Sequence, residues 1–229
     1  MRRAINFALL LFVACASSRL HVANEREYRA AVRADASNEL VDLAALGIPL
    51  DIRYATANNF MHRPLYPSAK AFLRAPAAAA LANAQRELAA RGLGIKVFDA
   101  YRPYRVTVAM WDAIHDPDFV ADPKKGSRHN RGAAVDLTLI ELKTGDELPM
   151  PTGYDDFTPR AAHAFNDLPA DAIANRALLR DVMTRNGFEV FPSEWWHYDF
   201  GGWERFAVMD VAFEFLDQNR ATIEIDPTL

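Results

Sequence analysis

The sequence FEVFPSEWWHYDF, residues 188–200, decides the fold class of this chain. Two short runs rich in aromatic residues, 188–191 and 196–200, flank the pair Pro192-Ser193, and this pattern predicts a β-hairpin. Elsewhere in the chain, short predicted strands are interleaved with predicted helices. Because a hairpin pairs its two strands antiparallel, the combination predicts an α+β fold rather than a doubly wound parallel sheet.

Six further elements are predicted from the periodicity of the apolar residues and from the positions of proline and glycine. Helices are predicted at 76–91, 104–114 and 175–186, and strands at 50–54, 95–100 and 133–141. Residues 24–37 have the pattern of an exposed helix or a tether. We find no internal repeat, low-complexity linker or long run of charge, so we expect a single folded domain.

The composition is that of an ordinary globular protein. The chain has 229 residues, of which 51% are hydrophobic and 24% charged, and this length corresponds to about 1.5 average domains. A formal net charge of −4 argues against nucleic acid as the main partner, since such a partner usually requires a basic face. The single cysteine, Cys15, excludes an intrachain disulfide and any zinc site built from several cysteines.

The N-terminal segment has the order of a signal peptide. Residues 1–3 form a basic head, residues 4–14 are almost continuously apolar, and small residues follow. This order predicts a signal peptide over residues 1–16, and hence export to the periplasm or the outer surface. A cut before Cys15 would instead leave a lipid-bearing lipoprotein, with that lipid as its membrane contact. In a third interpretation, the apolar run is the first helix of the fold.

Two segments carry side chains that suit a metal ion. The first is SRHNRGAAVD, residues 127–136, and the second is EWWH, residues 194–197. Together they supply His129, Asp136 and His197. Three protein ligands with an open fourth position are typical of a catalytic zinc site.

The spacing within each segment constrains how these side chains can meet. On one flat strand, residues seven positions apart point to opposite faces, so His129 and Asp136 require a turn or kink near Gly132. Glu194 and His197 are three positions apart, and they share a side only on a helical turn or at an irregular strand start. The sequence does not show which of these two geometries Glu194 and His197 adopt.

Two further side chains are candidates for catalysis. Glu194 is the candidate general base, which takes a proton from the attacking water and passes it to the leaving amine. Arg102 follows a predicted strand, where a fixed guanidinium would stabilise the oxyanion of a tetrahedral intermediate. The alternative roles are structural: Arg102 would be an ion-pair partner, each histidine a surface or core residue, and Trp195 and Trp196 part of the core.

The motif Ser-x-His-x-x-Gly-x-Ala-x-Asp at 127–136, followed by Glu-x-Trp-His at 194–197, resembles the zinc D,D-peptidases of the M15 clan. Further segments extend the resemblance to one branch, the D-alanyl-D-alanine dipeptidase family associated with vancomycin resistance and wall-peptide recycling. They follow that family's order at 51–56, 99–103, 136–139, 150–157 and 175–183. The resemblance covers roughly residues 40–200, which is most of the chain.

The resemblance implies a single α+β domain, in which a central antiparallel sheet is flanked by helices and carries the zinc site. It also implies one Zn²⁺ per chain as the cofactor. The positions that match the family's site are the zinc ligands His129, Asp136 and His197, the catalytic base Glu194, the transition-state arginine Arg102, and the dipeptide-pocket residues Ser127 and Tyr54.

The function implied by the resemblance is zinc-dependent hydrolysis of the free dipeptide D-Ala-D-Ala, in cell-wall peptide turnover or glycopeptide resistance. The alternatives are a D,D-carboxypeptidase acting on longer peptidoglycan peptides and a non-catalytic wall-binding module that has kept the zinc site. Glu194 and Arg102 argue against the binding module, because a pure binder needs neither a base nor an oxyanion partner. The expected division of the chain is a signal peptide at 1–16, an N-terminal helix or tether at 17–39, and the enzymatic domain at 40–229.

Overall fold

The fold is that of a computed structural model, which describes residues 22–117 and 120–223. The predicted signal peptide at 1–16, including Cys15, lies outside these residues. Within them, no helix is both long enough and apolar enough to cross a lipid bilayer. The described chain begins at Val22, which forms a parallel bridge with Met209 and so ties the N-terminal end of the described chain to a segment close to its C-terminal end.

A four-stranded antiparallel sheet lies at the centre of the fold. Its strand order is β3-β4-β6-β5, with β3 at Leu93–Asp99, β4 at Ala134–Glu141, β5 at Phe188–Phe191 and β6 at Glu194–Phe200. A separate antiparallel pair is formed by β1 at Leu40–Asp42 and β2 at Phe72–Arg74. The predicted α+β class, the central antiparallel sheet and the C-terminal hairpin are therefore confirmed.

The α-helices of the described chain are α1 at Glu25–Ala34, α2 at Ala75–Ala89, α3 at Tyr104–Ile114, α4 at Ala170–Arg185 and α5 at Phe213–Ile223. Helix α1 begins after Asn24, whose side chain accepts a hydrogen bond from the backbone N–H of Glu27. Pro76 lies in the first turn of α2, where its missing N–H costs nothing. Helices α2 and α4 contact the central sheet and each other, so they flank it as predicted.

The strand predicted at 50–54 is wrong. Leu50 forms a single parallel bridge with Val97, and Arg53–Ala55 is a 3₁₀ turn. The side-chain amide of Asn59 donates hydrogen bonds to the carbonyl oxygens of Arg53 (3.2 Å) and Thr56 (2.7 Å). Such local side-chain bonds to the backbone compete with strand pairing, and here they stabilise the turn.

The helix predicted at 175–186 is longer than the sequence pattern indicated. It begins at Ala170, directly after Pro169, and the first turn contains Asp171. Proline fixes its backbone in a conformation that suits a helix start, and an acidic first turn stabilises the positive end of the helix dipole. The apolar periodicity began only later in the segment, so the prediction placed the start five residues too late.

The core includes both tryptophans of the 194–197 segment. Trp195 and Trp196 are 2% and 1% exposed, which confirms their expected burial, and their rings meet edge to face with centroids 5.5 Å apart. Strand β4 is buried from residue 134 to residue 140, as its almost continuous apolar run predicts. The strands that carry two of the predicted metal ligands are therefore held in the interior of the fold.

Candidate metal centre

The register of the central sheet places two predicted ligands directly opposite each other. In the β4–β6 pair, Asp136 is the partner of His197, and in the β3–β4 pair, Asp99 is the partner of Asp136. Opposed side chains of an antiparallel pair have Cβ atoms about 4.5–5.5 Å apart. The sheet therefore places three ionisable side chains side by side across neighbouring strands.

His129 reaches the same point from a turn that precedes β4. Residues His129–Arg131 form a 3₁₀ turn, and Gly132 ends this turn in the left-handed conformation with φ 65°. The left-handed backbone conformation favours glycine at this position. A Cβ atom at Gly132 would lie 2.7 Å from Cδ2 of Leu40, so the end of that side chain would have to shift to admit it. The turn expected near Gly132 is therefore present, and it directs His129 and Asp136 to one point.

Hydrogen bonds fix the His129 turn against the end of β3. Nδ1–H of His129 donates to the carbonyl oxygen of Ala100 (2.7 Å), and the backbone N–H of Arg102 donates to the carbonyl of His129 (3.1 Å). The buried side chain of Asn130 donates to the carbonyl of Arg102 (2.8 Å) and accepts from the backbone N–H of Ser127 (2.8 Å). Because a carbonyl oxygen only accepts, the Nε2 atom of His129 is left with a lone pair for a metal.

The donor atoms of the three predicted ligands converge. Nε2 of His129 lies 3.2 Å from Nδ1 of His197 and 3.4 Å from Oδ1 of Asp136, and the latter two atoms are 2.9 Å apart. Ligand atoms that are about 2.0–2.2 Å from a tetrahedral zinc ion lie about 3.3 Å from one another. The three buried side chains thus form a group able to hold a metal, and its donor types and spacing fit zinc.

Two of these donor groups, the carboxylate of Asp136 and the ring of His197, each have a further hydrogen-bond partner that orients them. The hydroxyl of Tyr154 donates to Oδ2 of Asp136 (2.9 Å), and Nε2–H of His197 donates to Oδ1 of Asp199 (2.9 Å). Oδ2 of Asp199 lies 3.4 Å from Nε of Arg128. These contacts leave Oδ1 of Asp136 and Nδ1 of His197 directed at the point where the donors meet.

The electrostatics of the cluster favour a cation. Burial by itself would lower the pKa of His197, but the hydrogen bonds to Asp136 and Asp199 raise that pKa to about 10. Burial also opposes the ionisation of Asp136, yet the adjacent His129 and His197 hold its pKa well below its usual range. Two buried carboxylates on either side of one imidazole ring are therefore best balanced by positive charge.

Glu194 begins β6 at an irregular position. Pairing of β5 with β6 is regular as far as Val190 and Tyr198, and the next pair joins Phe191 to Glu194. Because of this shift, Oε2 of Glu194 lies 4.0 Å from Nδ1 of His197, so of the two geometries that the sequence left open, the irregular strand start is the one observed. Burial raises the pKa of Glu194, which suits a group that must accept a proton and then donate it.

Arg102 is held in one orientation just after β3. Its Nε and Nη2 atoms both donate to Oδ2 of Asp99 (3.1 and 2.7 Å), and Oδ1 of Asp99 accepts a hydrogen bond from the hydroxyl of Tyr66 (2.7 Å). The guanidinium carbon lies 5.1 Å from the ring centroid of Tyr54. Arg102 is therefore an ion-pair partner, as the structural alternative expected, and it also lines the cavity beside the metal donors.

A cavity of about 160 Å³ lies against these donors. It is smaller than the pockets of about 300–1,000 Å³ that hold drug-sized ligands, so it suits a small substrate. Apolar side chains form part of its wall, among them Phe60, Phe157 and Trp196. The structure also brings every site residue predicted from the sequence to this cavity, namely Tyr54, Arg102, Ser127, His129, Asp136, Glu194 and His197.

Asp155 is a cavity residue that the sequence did not single out. Both of its carboxylate oxygens lie 3.2 Å from the hydroxyl of Tyr54. Its backbone has φ 59°, in the left-handed region that non-glycine residues rarely adopt. Burial, and then the charge of Asp136, raise the pKa of Asp155 well above its usual range. A half-buried carboxylate at the wall of such a cavity is stabilised by a cationic partner.

Three other contributing residues were also missed: Asp99, Asp199 and Tyr154. Aspartate is depleted in strands, so the presence of Asp99 in β3 and of Asp199 in β6 is a signal that could have marked both residues. Tyr154 lies in a loop between β4 and α4, where no periodic pattern marks it. The sequence therefore contained a usable signal for the two aspartates but none for the tyrosine.

Comparison with known proteins places this chain in a family. A vancomycin resistance D,D-pentapeptidase, VanY, solved in complex with Zn(II), is 19% identical, with a TM-score of 0.37 over 61% of this chain and 78% of that chain. The family model of peptidase M15, D-Ala-D-Ala dipeptidase, matches residues 36–218. The chain therefore belongs to the peptidase M15 family and is a zinc metallopeptidase.

Curated relatives define the branch within this family. A D-alanyl-D-alanine dipeptidase of Escherichia coli (strain K12) is 38% identical over 166 residues, which cover 71% of this chain and 85% of the relative. A D-alanyl-D-alanine dipeptidase of Enterococcus faecium is 33% identical over 172 residues, which cover 66% of this chain and 85% of the relative. These similarities confirm the resemblance to the dipeptidase branch.

Proposed function

We propose that this chain hydrolyses the free dipeptide D-Ala-D-Ala to two molecules of D-Ala, with one zinc ion held by His129, Asp136 and His197. The observation that carries the proposal is the carboxylate of Asp155, which is half-buried and lines the same small cavity as the metal donors. In a dipeptide the free ammonium lies one residue from the scissile bond, so an ammonium partner close to the metal donors selects for this chain length. The names of the relatives agree with this substrate.

When bound, zinc lowers the pKa of its water to about 7 and polarises the peptide carbonyl. Glu194, whose Oε2 lies 4.0 Å from Nδ1 of His197, lies beside the metal donors. Its carboxylate accepts a proton from the attacking water and then delivers that proton to the amine of the leaving D-Ala. Its raised pKa makes the second of these transfers easier.

Arg102 stabilises the oxyanion that forms on the former carbonyl oxygen. The side chain is fixed by two hydrogen bonds to Asp99, so little reorganisation is required when the charge develops. Those bonds use Nε and Nη2. Nη1 takes part in neither bond, so we assign the contact with the oxyanion to Nη1.

The two ends of the dipeptide are bound by other groups. Asp155 pairs with the substrate ammonium, and Tyr54 holds that carboxylate through its hydroxyl. The Oγ atom of Ser127 accepts a hydrogen bond from the backbone N–H of His129 (3.2 Å). The hydroxyl hydrogen of Ser127 can thus be donated to the substrate carboxylate.

A direct assay separates this proposal from its rivals. The purified, zinc-loaded chain is offered free D-Ala-D-Ala and, separately, a longer peptide that ends in D-Ala-D-Ala, and released D-Ala is measured. We expect release from the dipeptide and very little from the longer peptide. The opposite preference would indicate a D,D-carboxypeptidase, and binding without any release would indicate a wall-binding module.

We also propose that the protein is exported and acts on wall fragments in the periplasm or at the outer surface, in peptide turnover or in glycopeptide resistance. The basic head and small-residue site at 1–16 support this location. Mass spectrometry of the mature protein tests it. A start at Ser17 indicates a soluble exported protein, a start at Cys15 with added lipid mass indicates a lipoprotein, and an intact Met1 contradicts both.

A further inference from the structure

Both ring nitrogens of His197 face a carboxylate. Nδ1 lies 2.9 Å from Oδ1 of Asp136, on the side of the other metal donors, and Nε2 lies 2.9 Å from Oδ1 of Asp199 on the opposite side of the ring. A metal binds only a ring nitrogen that carries no hydrogen. Which nitrogen is free depends on the hydrogen bond that the other nitrogen makes.

Asp199 is positioned to determine which ring nitrogen of His197 is free. It follows His197 by two residues on β6, so the two side chains lie on the same face of the strand. Asp199 is 5% exposed, and its Oδ2 atom lies 3.4 Å from Nε of Arg128. The guanidinium of Arg128 is itself stacked 4.9 Å from the ring centroid of Trp203. The carboxylate is therefore held from two directions, by the imidazole on one oxygen and by the guanidinium on the other.

We propose that Asp199 is a positioning residue for zinc, which holds His197 in the tautomer and the ring orientation that offer Nδ1 to the metal. An ionised carboxylate only accepts hydrogen bonds, so its contact with Nε2 keeps a hydrogen on that atom. Nδ1, which lies on the side of the other metal donors, is then the nitrogen that gives up its hydrogen when a metal binds. The inference rests on the proposed zinc site. Loss of such an outer partner typically weakens metal binding about 10- to 100-fold.

Zinc affinity, measured on the metal-stripped full chain by competition with a chromophoric chelator, tests this inference. We expect Asp199→Ala to weaken zinc binding toward the upper end of about 10- to 100-fold. Asp199→Asn should have a smaller effect, because its amide oxygen can still accept the hydrogen bond from Nε2. A merely structural role of Asp199 would lower the thermal stability of the metal-free chain without this ranking of zinc affinities.

Glu189→Gln is the matched control. Glu189 is exposed and pairs with Asp199 across the β5–β6 ladder, so its variant removes a nearby charge without removing the carboxylate that contacts His197. It should bind zinc like the wild type. Wild-type affinity in Asp199→Ala, or an equal loss in Glu189→Gln, would overturn the inference.

Two further outcomes are distinguishable. If Asp199→Ala does not fold, Asp199→Leu decides, since it keeps the approximate size of the side chain but cannot accept a hydrogen bond, and wild-type zinc affinity in that variant would overturn the inference. If the wild-type chain itself binds no zinc, the proposed function fails, and the inference fails with it. Zinc binding by the wild type that is insensitive to Asp199 would contradict the inference alone.

Discussion

The two halves of the cavity are built in different ways. The metal half is the part of the cavity that carries the metal donors. It is formed mainly by regular secondary structure, since Asp136 and His197 are cross-strand partners in the central sheet. The pocket half is the part that we propose binds the substrate ammonium. It is formed by irregular structure, since Tyr54 lies in a 3₁₀ turn and Asp155 lies in a loop with a left-handed backbone. A sheet fixes the spacing of chemically reactive groups, whereas loops can adapt to the shape of a ligand. We therefore expect zinc chemistry to depend on the sheet and substrate choice to depend on the loops.

One short segment joins the two halves. The hydroxyl of Tyr154 donates to Asp136 in the metal half, and the adjacent Asp155 accepts from Tyr54 in the pocket half. Substitutions in this segment would act on both halves, so the comparison is tested best by changes on either side of it.

The first prediction addresses the pocket half through the substrate. N-acetyl-D-Ala-D-Ala lacks the ammonium, so its binding would leave the half-buried carboxylate of Asp155 without a cationic partner from the substrate. Such a mismatch lowers kcat/KM by a factor on the order of 10⁴. Steady-state kinetics on the free and acetylated dipeptides measure this ratio, which should shrink in Asp155→Asn while the zinc content is unchanged. Equal turnover of the two substrates would mean that the substrate ammonium does not contribute to specificity.

The second prediction isolates Glu194 in the metal half. Glu194→Gln keeps the size of the side chain but cannot accept a proton, so turnover should fall by about 10²- to 10⁴-fold with zinc content near wild type. Metal content and turnover are measured on the same preparation, with Glu189→Gln as the control. A parallel loss of zinc and activity, by about 10- to 100-fold, would instead make Glu194 a residue that orients His197.

The third prediction concerns Arg102, which belongs to both halves. Arg102→Ala should lower kcat by about 10²- to 10³-fold with little change in zinc content, because an oxyanion partner is lost. The variant also leaves Asp99 buried without its ion-pair partner, so thermal unfolding is measured alongside, and Asp99→Asn in the same chain should restore stability without restoring kcat. Arg105→Ala, which removes an exposed arginine in α3, is the control. Unchanged kcat in Arg102→Ala would make Arg102 purely structural.

The fourth prediction, with the smallest effect, is on stability. Gly132→Ala forces a side chain into the left-handed conformation at a cost of about 1–2 kcal/mol. It also displaces Cδ2 of Leu40, which lies 2.7 Å from the new Cβ, and this adds about 0.5–1 kcal/mol as the leucine side chain adjusts. Gly145→Ala is the matched control, because Gly145 has φ 78° but open space around its Cβ position. Denaturant unfolding should show the larger loss at Gly132. Equal losses would mean that the turn before β4 can relax.

How much could be predicted from the sequence differs between the same two halves. The metal half was predictable because His129 and Asp136 lie in one short segment and Glu194 and His197 in another, at spacings that correspond to turn and strand geometry. Strand registers, and with them the alignment of Asp99 with Asp136, follow from the packing of the whole sheet and left no local trace. The irregular strand pairing that brings Glu194 beside His197 could not be predicted for the same reason.

The pocket half was harder to predict. Tyr54 was assigned to it only through family resemblance, and the strand predicted around it was wrong because side-chain bonds from Asn59 stabilise a turn instead. Asp155 lies 101 positions from Tyr54, and the two meet only through tertiary packing. A positive φ at an aspartate has no signature in the sequence. The residues proposed to select the substrate were therefore the hardest to predict from the sequence.

The central claim is that three residues of the sheet and its preceding turn hold a zinc ion that is required for cleavage of D-Ala-D-Ala. It is tested most directly by stripping the chain of metal, titrating zinc back, and measuring D-Ala released from D-Ala-D-Ala at each step, in the wild type and in His129→Ala. The account predicts no release from the stripped chain and recovery that saturates at one zinc per chain. It also predicts no recovery in His129→Ala at the same zinc concentrations. Release from a chain without detectable metal, or full recovery in His129→Ala, would contradict it.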